Sequence, residues 1–153
     1  MKTTQDHALD IIHDLIQSCE DGHLGFHAAA QDVKSMVLRS LFMDWSVQRA
    51  QFVEELRRRA RALGEEIEES GSMAGAMHRG WMNLHASVSA NDHAVLSACE
   101  RGEDIAVEAY RDALSSTDLD LETRELVTSQ FSSVKATHDC VRDLRDSPSF
   151  RDR

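Results

Sequence analysis

Proline is almost missing from this sequence: its single copy among 153 residues is Pro148, close to the C-terminal end. Proline removes an amide donor and clashes with the preceding turn, so nothing upstream of residue 148 forbids long helices. Apolar runs are short as well. None approaches the roughly 18–20 residues that cross a bilayer, and the opening MKTTQDHALDIIHDL carries acids and histidines where a secretory signal would hold an apolar segment. Cysteine is scarce. Cys19, Cys99 and Cys140 are odd in number, far apart and without a C-x-x-C pair, which excludes a disulfide framework and points to reduced thiols in the cytoplasm. Positive charge is also in deficit. A formal net charge of −10 disfavours nucleic acid and anionic membranes as partners, because phosphates are held by Lys and Arg. The one basic run, Arg57-Arg58-Arg59 with Arg61, runs into Glu65, Glu66, Glu68 and Glu69 and reads as a charged helix face. No Ser-His-Asp grouping is visible, and the small glycine cluster at 71–75 follows no strand, as a phosphate loop would.

What is abundant favours helix: Ala, Leu, Glu, Arg and Met. A chain of this length buries about two-thirds of its unfolded surface and needs no metal or disulfide to hold a core. Apolar residues recur by threes and fours in four stretches. Helix 1 is expected over 4–31, with Leu9, Ile12, Ile16, Cys19, His23, Phe26 and Ala30 inward. Helix 2 is expected over 35–63, with Leu38, Phe42, Trp45, Phe52, Leu56 and Leu63 inward and Gly64 as a C-cap glycine. Helix 3 is expected over 92–114 (Leu96, Cys99, Ala106, Tyr110, Ala113) and helix 4 over 121–145 (Val127, Phe131, Val134, His138, Val141). A long connection at 64–91 contains a short amphipathic helix near 73–89. Two short links around one long one predict an all-α, ferritin-like four-helix bundle with a crossover between helices 2 and 3, occupying 1–146 as a single domain and followed by a tail at 147–153.

Shifting the sequence by eighty residues lays helix 1 on helix 3. His13 meets His93, Cys19 meets Cys99, Glu20 meets Glu100, Gly22 meets Gly102 and Asp32 meets Asp112. The echo predicts two helix hairpins related by a pseudo-two-fold axis, with Glu20 and Glu100 facing each other across it. Two carboxylates in a low-dielectric interior repel unless a cation lies between them.

Glutamates so placed on helices 1 and 3 resemble the di-iron ligands of ferritins and rubrerythrins, whose remaining ligands come as Glu-x-x-His on helices 2 and 4. Over SCEDG (18–22), RAQFVEEL (49–56), GSMAGAMHRGWMNL (71–84), CERGEDIAVEAY (99–110) and SVKATHDCVRDLRD (133–146) the chain resembles an uncharacterised bacterial ferritin-like family, a domain of unknown function. The resemblance implies the fold and no activity. Thirty-five residues separate Glu20 from Glu55 and Glu100 from Lys135. At the matching places stand Glu55-Leu-Arg-Arg58 and Lys135-Ala-Thr-His138, so Arg58 replaces a ligand histidine and Lys135 a bridging glutamate. Neither cation binds a divalent metal readily. Glu20, Glu55 and Glu100 give −3, Arg58 and Lys135 give +2, and a protonated His138 brings the sum to zero.

The expectation is therefore a degenerate di-metal site filled by an ionic cluster of Glu20, Glu55, Arg58, Glu100, Lys135 and His138. It implies a non-enzymatic structural, stress-related or protein-interaction role. The alternative is a single divalent ion, iron, manganese or zinc, on Glu20, Glu55, Glu100 and His138, with Glu54, Glu103 and Glu108 as substitutes if the helical register differs. His78, Arg79 and Trp81 mark a candidate interface, and homo-oligomerisation, as a dimer, is expected of a bundle of this kind. Cys19 and Cys99 read as small core residues, with thiol sensing as a weaker option.

Overall fold

The computed structural model describes residues 1–65 and 91–151, which form four helices: α1 (Thr4–Asp32), α2 (Met36–Ala62), α3 (Asp92–Ser115) and α4 (Leu121–Asp146). Each begins on a side chain that accepts from an amide two or three residues into the helix. Thr3 caps α1 in a reciprocal box with Asp6, and Ser35, Asn91 and Asp120 cap the other three. α2 ends as its glycine predicts. Gly64 turns into the left-handed region (φ +95), its amide donates to the Arg61 carbonyl at 2.9 Å, and the Glu65 amide reaches the Ala60 carbonyl at 3.1 Å. In both hairpins an arginine of the second helix caps the end of the first: Arg39 donates to the carbonyls of Ala30 and Val33, and Arg124 to those of Leu114 and Ser116.

Polar ties fix the directions. Gln5 donates to the Leu63 carbonyl, so α1 and α2 are antiparallel. Arg59 near the end of α2 holds Asp120 and Glu122 at the start of α4, at 3.0 and 2.7 Å. Asp92 at the start of α3 accepts from the amides of Lys34 and Ser35, at 2.8 and 3.0 Å, in the turn between α1 and α2. The end of α2 and the start of α3 thus lie at opposite poles, and the short helix expected near 73–89 lies outside the described residues. α1 packs on α2 and α3, α4 packs on α3 and more lightly on α2, and α2 and α3 stand diagonally across the axis.

The apolar stripes meet in two clusters. One surrounds Ile12, Leu15, Leu56, Tyr110, Val127 and Val134; the other surrounds Phe26, Leu38, Phe42, Leu96 and Val141. Each fully buried Leu, Ile or Phe in them contributes about 1.5–3 kcal/mol relative to exposure. The inward residues expected on α3 are all buried. On the other helices Leu9, His23, Trp45, Phe52, Leu63, Phe131 and His138 sit at the margins, half-covered, while Ser46, Arg49, Gln130 and Thr137 take interior places. Phe150 of the C-terminal tail folds back onto the second cluster. Among the described residues no helix is long and apolar enough to cross a membrane.

Candidate functional site

Arg49 and Glu103 occupy the middles of α2 and α3. Both side chains are 1% exposed. Reaching across the diagonal, Arg49 Nη1 donates to Glu103 Oε1 at 2.9 Å and Nη2 to Oε2 at 2.5 Å. A parallel two-point contact of this kind is the strongest form of ion pair available to a carboxylate. The guanidinium is seated on two further groups. The Phe26 ring centroid lies 5.5 Å from Cζ, and Gly22 leaves the space the head group fills, since a Cβ there would stand 2.8 Å from Nη1. Burial pulls the Arg49 pKa down, but the Glu103 carboxylate more than reverses this and the group ends above its ordinary value.

A buried hydrogen-bond chain runs beside the pair through three helix contacts. Tyr110 Oη donates to Gln130 Oε1 at 2.7 Å, and Gln130 Nε2 donates to Glu55 Oε1 at 3.1 Å. With its proton committed to Gln130, the phenol accepts from Cys19, whose Sγ is 3.1 Å away. Burial raises the Cys19 thiol to about 11, against the opposing Tyr110 contact, and burial likewise raises Cys99 and Tyr110. These groups are held in their neutral forms.

The structure does not gather the six residues of the expected ionic cluster. Glu20 turns to Arg57 at 2.8 Å, within its own hairpin, its pKa raised by burial against the pull of Arg57. Glu100 turns to Arg145, within the other hairpin. Glu55 meets Gln130. Arg58 and Lys135 are exposed, Arg58 beside the Glu54 carbonyl and Lys135 3.7 Å from Asp139. His138 lies between Asp104 (2.6 Å from Nε2) and Asp139 (3.0 Å from Nδ1). The cause is one of helical phase. The inward positions are 46, 49, 53, 56 and 60 on α2 and 127, 130, 134, 137 and 141 on α4, so 55, 58, 135 and 138 flank the interior. Of the four candidate metal ligands, only Glu100 and His138 come together, joined by Asp104. His78, Arg79 and Trp81 lie outside the described residues.

Arg49 was not among the expected site residues, although its signal was present: residues 42, 46, 49, 53, 56 and 60 form an unbroken four-three stripe with an arginine inside it. Glu103 lies likewise between Cys99 and Ala106 in the stripe of α3.

A ferritin-like fold implies a di-metal centre among its four helices. The donors at the middle of this bundle do not fit one. A guanidinium stays protonated and cannot ligate a cation, and it occupies both oxygens of the Glu103 carboxylate.

Residues 7–116 match the model of a family described as a domain of unknown function, DUF2383. No curated protein matches the chain. Among solved structures, a tetragonal form of Mycobacterium smegmatis Dps superposes with a TM-score of 0.83 at 17% identity, covering 98% of this chain and 92% of that one. A point mutant of Mycobacterium smegmatis Dps1 gives 0.81 at 16% identity over 95% and 99%. At such low identity the likeness establishes a ferritin-like four-helix bundle and nothing finer.

Proposed function

This chain belongs to the family DUF2383, a domain of unknown function, and we propose that it works as a non-enzymatic structural or protein-interaction bundle with an ion pair at its centre in place of a metal pair. One observation carries this reading: the fully buried, two-point contact of Arg49 with Glu103 across the diagonal. A metal centre stabilises clustered carboxylates with divalent charge, and here Arg49 balances the Glu103 carboxylate. Glu20 and Glu100 turn to arginines of their own hairpins.

Interaction is the role left to such a bundle. Met36, Val37, Val47, Ile105 and Leu121 are large apolar side chains exposed on the described surface and open to a partner. The test of the central claim is iron oxidation. Full-length protein loaded with Fe2+ without oxygen and then exposed to air is expected to oxidise iron no faster than buffer. A protein-dependent rate that falls in Glu103→Gln overturns the reading.

A further inference from the structure

We propose that Glu100, Asp104 and His138 form a binding site for one divalent first-row transition ion on the seam between α3 and α4. Glu100 and Asp104 are four residues apart, on one face of α3, and that face meets His138 of α4. One ligand atom from each of the three lies within 4.8 Å of the other two, close enough for a single ion to reach all of them.

A second feature points to a ligand independently of that proximity. Asp139 Oδ1 sits 3.0 Å from Nδ1 of His138, while Nε2 faces Asp104 Oδ1 at 2.6 Å. Metal-binding histidines generally give their other ring N–H to a carboxylate, which fixes the tautomer and aims the free nitrogen at the ion. Asp139 supplies that support. With Nδ1 facing Asp139, Nε2 is the ring nitrogen left for an ion. One imidazole with two carboxylates suits zinc, manganese or ferrous iron better than calcium or magnesium, which take oxygen alone. Asp104 is exposed and gives the ion an entry path, and Arg145 on Glu100, with Lys135 and Arg142 near Asp139, completes the surroundings. None of these residues belongs to the central layer, so the site stands or falls apart from the reading above.

The test is calorimetric titration of chelator-treated, full-length protein with Zn2+, with the histidine rings followed by nitrogen NMR. One ion per chain is expected, with the His138 Nε2 resonance moving and Nδ1 staying protonated. His138→Gln and, separately, Glu100→Gln lose that ion while keeping the thermal transition. Asp139→Asn keeps the stoichiometry and weakens binding by about 10–100-fold. His27→Ala, which removes an exposed histidine of α1 away from the seam, leaves binding intact. Absence of binding by the unaltered protein, or equal affinity in both His138→Gln and Glu100→Gln, overturns the site.

Discussion

A Cβ on Gly22 would stand 2.8 Å from Nη1 and 3.3 Å from Cγ of Arg49, so the glycine of one helix is shaped to the arginine of the next. In an ordinary helix interior, alanine in place of glycine adds about 1 kcal/mol of stability. Here the sign reverses. Gly22→Ala displaces a guanidinium locked to Glu103, and overpacking of this kind costs roughly 1–3 kcal/mol. Urea unfolding measures it, and a Gly22→Ala protein more stable than the parent contradicts the geometry.

Removing half of a buried ion pair leaves the other charge stranded. Arg49→Ala and Glu103→Ala are each expected to destabilise by about 3–5 kcal/mol, whereas Arg49→Met with Glu103→Leu restores much of the loss. A double-mutant cycle reads the coupling. Additive losses would mean that the two charges do not depend on each other.

Arg58 and Lys135 give the contrasting case. Both are exposed, so Arg58→Ala and Lys135→Ala are expected to change stability by no more than about 0.5 kcal/mol. Unfolding curves displaced by several times that amount would return these residues to the interior.

Asp21 makes stability depend on pH. Burial lifts its carboxyl from 3.8 to about 6, against a weaker pull from Gln17, and its Oδ1 is a buried acceptor without a partner. The folded state therefore holds this proton where the unfolded chain has released it. The group's contribution to stability is full below pH 3.8 and is lost as pH rises through about 6. Asp21→Asn should stabilise relative to the parent at pH 7 and lose that advantage at pH 4; an equal effect at both values sinks the assignment.

Thiol chemistry should sort by burial. Cys19 and Cys99 are enclosed and their pKa values raised, while Cys140 is only partly covered. Under native conditions an aromatic disulfide reagent is expected to modify Cys140 alone, and the other two only on unfolding. Fast labelling of Cys19 in folded protein would favour a thiol-sensing role instead.

The helices were legible because caps and stripes are local. Asn91 and Asp120 mark their starts, Gly64 marks an end, and three-four spacing fixes each inward face to within one position. That single position decides the site. Glu20 and Cys19 are neighbours in sequence but about 100° apart around α1, so the buried cysteine sends the glutamate to the seam with α2. The eighty-residue echo survives in a different form: Glu20 and Glu100 occupy equivalent places, each answered by an arginine of its own hairpin. Arg49 is hidden in the sequence because charge suggests surface, and only its phase between Ser46 and Val53 shows otherwise. Its partner lies fifty-four residues away on the diagonal helix, a pairing no local pattern contains.

The central layer also acts as a vertical key for assembly. Two oily helix hairpins can slide along each other by a turn with modest loss, since leucine meets leucine again after each step. With Arg49 on one hairpin and Glu103 on the other, every slipped arrangement strands two charges in hydrocarbon, and only one height of docking leaves neither of them alone.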